Sequence, residues 1–340
     1  MKTSPNRNAG TALTGTIVAA FGRHYQVLPD SPPLSSPTSA FTPAAALDPA
    51  GHDTAPNPLA GATDGNPLKC VPRGKKSVYA CGDRIAFNPT GEGQGVIERL
   101  EPRDNLLWRS DAFREKLIAS NLTQIVIVVA TEPSFSDLLI SRCITAAEDQ
   151  RLKSLIVLNK ADLADRLTAA RSLLQPFAAL GYRIVETSAL SGADVLRPWL
   201  RGERSILVGQ SGMGKSTLTN ALIPEAEAAT REISEALDTG KHTTTFARLY
   251  PFEQDGCLID SPGLQAFGLA HVEADALAAC FVEFRELLGT CRFRDCRHEA
   301  EPGCGLQGAL QAGHIHPRRF EHFKQIRAEI EQAGRQQRGW

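Results

Sequence analysis

Ile206-Leu207-Val208-Gly209-Gln210-Ser211-Gly212-Met213-Gly214-Lys215-Ser216-Thr217 is the stretch on which the fold turns. A short apolar run of strand type leads into the pattern G-x-x-x-x-G-K-[ST], and Lys215–Leu222 then has helical character. Glycines at 209, 212 and 214 let the backbone wrap closely around a phosphate, while successive N–H groups and the helix start supply positive potential. Lys215 is placed to reach the β- and γ-phosphates of a nucleoside triphosphate, and the Ser216 hydroxyl to ligate Mg²⁺. A strand–loop–helix unit of this kind belongs to a doubly wound α/β sheet. By itself the loop does not separate ATPases, small-molecule kinases and GTPases.

The neighbouring segments extend the sheet. Apolar runs at Gln124–Ala130, Leu155–Leu158, Arg183–Val185 and Cys257–Ile259 read as further buried strands, mostly parallel, with helices at Asp137–Glu148 and Arg166–Leu180. Asn159-Lys160-Ala161-Asp162 follows one of those strands directly. A carboxylate at Asp162 accepts hydrogen bonds from guanine N1–H and the exocyclic amine. Adenine lacks both donors there, which leaves the acceptor unpaired at a cost of about 1–3 kcal/mol. Asn159 supports the base edge and the phosphate loop, and the Lys160 stem covers the ring face. Thr187-Ser188-Ala189 follows the next strand, and the Ala189 N–H is placed to read guanine O6. Together with the phosphate loop these residues select GTP and GDP.

Asp260-Ser261-Pro262-Gly263 continues the strand at Cys257–Ile259. Asp260 is expected to hold Mg²⁺ through a water, and the Gly263 N–H to contact the γ-phosphate. Gly240-Lys241-His242-Thr243-Thr244-Thr245 forms a polar loop before a strand at Phe246–Tyr250, with Thr244 as the residue that completes the Mg²⁺ shell. Many GTPases carry, directly after the D-x-x-G glycine, a Gln that orients the attacking water; here that residue is Leu264. This predicts slow intrinsic hydrolysis or an active site completed by a partner. His242 either positions that water, since imidazole donates and accepts near neutral pH, or is an exposed loop histidine without a role.

Toward the N-terminus, short strands are expected at Thr14–Val18, Tyr25–Leu28, Leu68–Val71, Ser77–Tyr79, Arg84–Phe87 and Gly95–Arg99. Strands this short with close turns suggest a small barrel of the oligonucleotide-binding type. Pro29–Pro67 interrupts it with a Pro-, Ala-, Ser- and Thr-rich run lacking any Lys or Arg; such a composition buries too little apolar surface to order itself and predicts a disordered insertion. Arg73-Gly74-Lys75-Lys76 gives the barrel a basic edge, equally readable as a solvated hairpin.

The C-terminal part reads as a helix at Asp275–Leu287, a Cys/His cluster and a helix from Pro317 to about Ala333. Cys291, Cys296, His298 and Cys304 offer three thiolates and one imidazole, a set suited to one tetrahedral, structural Zn²⁺. The other five of the eight cysteines, Cys70, Cys81, Cys143, Cys257 and Cys280, read as small core residues. Arg318, Arg319, Lys324 and Arg327 on the last helix either touch RNA phosphates or form a solvated face.

The formal net charge of −1 over 340 residues announces no nucleic-acid partner, so any such contact must be local. Met1–Gly15 lacks the apolar core of a signal peptide, and the longest apolar stretch, Ile125–Ala130, falls far short of a membrane span. A cytoplasmic protein is expected, and nothing demands an assembly beyond the monomer.

The order of the motifs is unusual. In an ordinary GTPase the phosphate loop comes first and the base motifs last, whereas here Asn159–Asp162 and Ser188-Ala189 precede Gly209–Thr217. A circularly permuted chain builds the same site. With a small β domain in front and a Cys/His cluster behind, the sequence closely resembles the ribosome small-subunit-dependent GTPase A family. The resemblance rests on Gly82-Asp83-Arg84, Gly95–Arg103, Gly209–Thr217, Gly240–Thr245, Asp260–Leu264 and the C-terminal cluster, and spans nearly the whole chain. It implies a multidomain protein: an oligonucleotide-binding-type barrel over residues 1–104 with the insertion at 29–67, a permuted P-loop α/β GTPase domain over 105–268, and a helical zinc-binding domain over 269–340. It also implies slow GTP hydrolysis stimulated by the small (30S) ribosomal subunit, rRNA binding, and a role in late maturation of that subunit. Lys241 stands where the family usually has Arg, keeping the charge without the planar fork. Two other readings stay open at this level: a P-loop kinase acting on a small molecule, and a non-catalytic RNA-binding scaffold.

Overall fold

The computed structural model describes residues 12–30, 66–74, 78–111, 114–226, 246–261, 269 and 271–337. Five strands form the N-terminal barrel: β1 (Leu13–Phe21), β2 (His24–Pro29), β3 (Leu68–Pro72), β4 (Arg84–Gly91) and β5 (Gln94–Leu100). Their order is β1-β2-β3-β5-β4, and β1 pairs with β4 to close the ring. Inward-facing Ile17, Tyr25, Val27, Cys70, Ile85, Phe87 and Ile97 fill it, as alternation along each strand requires.

The expected strand at Ser77–Tyr79 is not present. Ser77 lies outside the described residues, and Val78–Ala80 is irregular, with only Cys81 bridging to Ala119. Just beyond Tyr79, the Ala80 N–H donates to the Asp83 carboxylate at 2.7 Å. Asp83 is fully buried, and Arg103 (2.7 and 2.6 Å) and Ser120 (2.5 Å) also donate to it. Gly82-Asp83-Arg84 and the segment ending at Arg103 are therefore the joint between barrel and the rest of the chain. Arg84 faces the other way and pairs with Asp30 at 2.8 and 2.7 Å.

A second departure lies at that joint. The pattern from Asn105 suggests immediate alternation of strands and helices, but an antiparallel hairpin, β6 (Leu106–Asp111) and β7 (Arg114–Ser120), comes first. Its two apolar runs are too short to announce themselves against the strands that follow.

The α/β layer contains β8 (Gln124–Ala130), α1 (Asp137–Asp149), β9 (Lys153–Asn159), α2 (Ala164–Ala179), β10 (Arg183–Glu186), α3 (Arg197–Leu200), β11 (Arg204–Val208), α4 (Lys215–Leu222), β12 (Arg248–Phe252) and β13 (Gly256–Asp260). The sheet order is β10-β9-β8-β11-β13-β12, parallel except for β12, which runs antiparallel to β13. Every residue of β8 is buried, as a strand covered on both faces must be. β12 would be an open edge, yet its Arg248 pairs with Ala19 of β1, so barrel and α/β sheet form one continuous surface.

The expected helix at Asp275–Leu287 is instead two 3₁₀ segments, Leu277–Cys280 and Val282–Leu287, broken at an extended Phe281. Packing overrides propensity there. Phe281 is wholly buried, stacks on Phe284 with centroids 5.1 Å apart and meets Phe323 edge-on. Two helices close the chain, α5 (Gly305–Gln311) and α6 (Pro317–Gln337). Phe320, Phe323, Ile326 and Ile330 of α6 pack into the core shared with the α/β layer. The other cysteines, Cys70, Cys81, Cys143, Cys257 and Cys280, are all buried. Among the described residues no helix is long and apolar enough to cross a membrane.

Candidate nucleotide site and metal centre

Because β8, β9, β10 and β11 are parallel neighbours, their C-terminal ends meet at one edge of the sheet. The three loops that leave β9, β10 and β11 carry the base and phosphate motifs. One side chain binds them together. Asn159, 1% exposed, donates from Nδ2 to the Met213 carbonyl of the phosphate loop at 2.9 Å, and its Oδ1 accepts from the Ala189 N–H at 3.0 Å. The Ala161 N–H donates to the Thr187 carbonyl at 3.0 Å, a second tie between the base loops.

The phosphate loop depends on two glycines for its path. At Gly209 (φ +152°) a Cβ would sit 2.2 Å from the Val128 carbonyl oxygen, and at Gly214 (φ +88°) it would sit 2.3 Å from Asn159 Nδ2. Both sites combine a backbone that L side chains rarely adopt with contacts that leave no volume for one. The result is a cradle of N–H groups at the start of α4.

Lys215 opens α4 and is buried; its ammonium donates to the Gly209 and Gln210 carbonyls at 2.9 and 3.1 Å. Burial pushes its pKa down, opposed by the nearby Asp260 carboxylate. Ser216 Oγ donates to Asp260 Oδ2 at 2.9 Å. Asp260 is pushed up by burial, against the Ser216 hydrogen bond and Lys215. Its Oδ1 is buried with no hydrogen-bond partner among the described residues, as are Ser188 Oγ and Gln210 Oε1. A buried carboxylate oxygen with no donor, beside a serine hydroxyl and a lysine, fits the outer shell of a divalent cation on a phosphate.

Sequence reasoning missed Thr131 and Glu132. Thr131 Oγ1 donates to the Lys160 carbonyl at 2.8 Å, and Lys160 Nζ donates to the Glu132 carbonyl at 2.7 Å. These contacts hold Lys160 at φ +58°, the turn that raises the base loop. A threonine at a strand end gives no signal of this role in one dimension. Asp162 is exposed on that loop. The Ala189 N–H expected to face guanine is donated to Asn159 in this structure. Ser211 is exposed, Met213 buried and Thr217 exposed. His242, Thr244 and Gly263 lie outside the described residues, as do Lys241, Leu264 and nearly all of the 29–67 insertion.

The ligand atoms of Cys291, Cys296, His298 and Cys304 all lie within 4.8 Å of one another. His298 Nδ1 is 3.5 Å from Cys291 Sγ and 3.4 Å from Cys304 Sγ. A zinc tetrahedron with Zn–S of about 2.3 Å and Zn–N of about 2.0 Å has edges of roughly 3.5–3.8 Å, so the donor set fits. His298 holds a left-handed φ of +63°, which turns its ring inward between the cysteines.

Of the basic residues on α6, Arg319 is 1% exposed and donates to Glu283 (2.8 Å) and Ser141 (2.8 Å), with its guanidinium 4.5 Å from the Phe281 ring centroid. Arg318 pairs with Asp137, Arg327 with Glu331 and Lys324 with Glu321. Arg319 is thus an internal clamp, whereas Arg318 and Lys324 stay exposed while paired.

A family model described as RsgA GTPase matches residues 100–270. The chain is 46% identical over 333 residues to a protein of Burkholderia pseudomallei (strain 668) named small ribosomal subunit biogenesis GTPase RsgA, covering 96% of each chain. The structure of YjeQ from Thermotoga maritima matches at 28% identity and a TM-score of 0.65, over 94% of this chain and 98% of that one. YloQ, described as a circularly permuted GTPase, shares the fold at a TM-score of 0.62 and 22% identity, over 97% of this chain and 98% of that one.

Proposed function

The chain belongs to the RsgA GTPase family, and from that premise we infer that it hydrolyses GTP in the biogenesis of the small ribosomal subunit. The observation that carries the reading is Asn159, whose side chain joins N-K-x-D, the phosphate loop and Ser188-Ala189 into one site despite their permuted order. A kinase or a vestigial scaffold would not require Asp162 on the base loop together with intact Lys215, Ser216 and Asp260.

In this reading GTP takes its guanine against Asp162 and Ala189 and its phosphates on the N–H groups of Gly209–Thr217. Ser216 and Asp260, with Thr244, hold Mg²⁺, which neutralises charge on the phosphates when bound. Gly263 contacts the γ-phosphate. Lys215 exchanges the loop carbonyls for phosphate oxygens, gaining charge-assisted bonds that offset its burial. His242 orients the attacking water in place of the Gln that Leu264 displaces, and turnover without the ribosome is slow for that reason. The Cys₃His cluster holds one structural zinc. The protein acts as a cytoplasmic monomer whose partner is the 30S subunit and its rRNA, and the subunit stimulates hydrolysis.

Phosphate release from GTP and ATP, each with and without purified small subunits, tests this. Expected are GTP selectivity, strong stimulation by subunits and loss of both in Lys215→Ala. Equal activity on ATP would overturn the base-site assignment, and GTP hydrolysis indifferent to subunits would remove the partner.

A further inference from the structure

The turn between the first two cluster cysteines reads Arg292-Phe293-Arg294-Asp295, and neither the nucleotide site nor the core uses it. Phe293 is 42% exposed, and the Arg292 guanidinium lies 5.6 Å from its ring centroid. Other arginines of this region are committed: Arg285 to Glu148, Arg297 and Arg327 to Glu331, Arg318 to Asp137, and Arg319 to Glu283. Arg292 and Arg294 are exposed and have no ion pair among the described residues, and with Asp295 they leave the turn a net charge of about +1 at neutral pH. The backbone beneath them is fixed. The Arg292 N–H donates to the Gly303 carbonyl at 3.0 Å, and Cys291 and Cys296 anchor both ends in the cluster.

We propose that this turn receives an unpaired nucleotide of RNA, with the base stacked on Phe293 and its flanking phosphates on Arg292 and Arg294. The proposal rests on the ribosomal reading above. The chemistry selects the partner class: an exposed aromatic, with the Arg292 guanidinium over its ring and Arg294 next in sequence, neither arginine in an ion pair among the described residues, offers a base its π face and a backbone its charge. Paired A-form RNA presents no free base face, so the target is a loop, bulge or end. A protein partner of the same patch would have to bring carboxylates to both arginines.

The test measures affinity of full-length, zinc-loaded variants for purified small subunits over a range of salt. Phe293→Ala is expected to weaken binding roughly 5- to 100-fold without changing the salt slope. Phe293→Tyr, which keeps a stacking face, is expected to bind as the parent does. Arg292→Gln and Arg294→Gln are each expected to reduce the slope by about 0.7. Ultraviolet cross-linking is expected to attach the peptide containing Phe293 to rRNA. If Phe293→Ala loses zinc, Phe293→Leu takes its place, keeping bulk while removing the π face. Wild-type affinity in the Ala or Leu variant, equal weakening by Tyr and Ala, or cross-links to a ribosomal protein alone would overturn the proposal. A wild-type protein that ignores the subunits would instead sink the ribosomal reading beneath it.

Discussion

Gly214 and Asn159 approach each other so closely that the phosphate loop and the base motif are one structural unit. A methyl group at position 214 would lie 2.3 Å from Asn159 Nδ2 and must also hold φ +88°. The backbone alone costs about 1–2 kcal/mol for an L residue, and relieving the clash breaks the bond to Met213. Gly214→Ala is therefore expected to weaken GTP binding at least about tenfold and to lower stability by about 1–3 kcal/mol in urea denaturation. Titration with a fluorescent GTP analogue measures it, and affinity within twofold of the parent would show that the two motifs are independent. Asn159 announces itself in the sequence because N-K-x-D requires that residue type. Thr131 does not, since its bond to the Lys160 carbonyl exists only once β8 and β9 lie side by side.

Helices α1 and α6 are held together by polar groups as well as by their apolar stripes. Asp137, in the first turn of α1, faces Arg318 and His322 of α6, and Ser141 one turn on contacts His322 at 2.8 Å and Arg319. Burial tends to raise the Asp137 pKa, but hydrogen bonds from His322 and Arg318 outweigh it and hold the carboxyl well below the usual range. A lowered native pKa means the pair stabilises the fold above the unfolded value of about 4 and loses that contribution as pH falls below it. Asp137→Asn is expected to cost about 1.5–3 kcal/mol at neutral pH and to flatten the decline in stability from pH 5 to pH 3. Urea midpoints across that range decide the matter; a parent-like slope in the variant would discount the pair. The metal cluster supplies the second fastening at this scale. One zinc per chain is expected by elemental analysis, and its removal by chelator or Cys296→Ser is expected to lower the thermal midpoint by about 5 °C or more. A chain that carries no zinc, or does not respond to its loss, would refute a structural role for the four ligands.

At the scale of the whole molecule, permutation changes what the Asp260–Gly263 motif is attached to. The chain leaves the sheet at Asp260, and among the described residues the C-terminal part adds no further strand to it. His271, beyond the Asp260–Gly263 motif, meets Trp108 of the β6–β7 hairpin with ring centroids 4.4 Å apart and planes tilted by 58°, so that the C-terminal part also touches the joint with the barrel. A change in γ-phosphate contacts at Gly263 is thus expected to reach both outer units. Hydrogen exchange over residues 269–337 is expected to differ between complexes with GDP and with a non-hydrolysable GTP analogue. Identical protection in the two would rule the coupling out.

The nucleotide motifs, the buried strands and the four cluster ligands were legible in one dimension because each depends on local spacing. A strand covered on both faces must be apolar throughout, a phosphate loop must be glycine-rich, and a tetrahedral site must gather thiolates and imidazole. The tertiary structure alone decided where chain-distant groups meet. Buried Asp83 gathers the Ala80 N–H, Arg103 and Ser120 at the joint with the barrel, and Phe281 breaks an expected helix because it is worth more in the core than in a regular turn. Arg319, an apparent surface cation, becomes a buried clamp because Glu283 and Ser141 close over it. Propensity acts over a few residues at tenths of a kcal/mol each, whereas burying a phenylalanine or leaving a guanidinium unpaired is worth several times more.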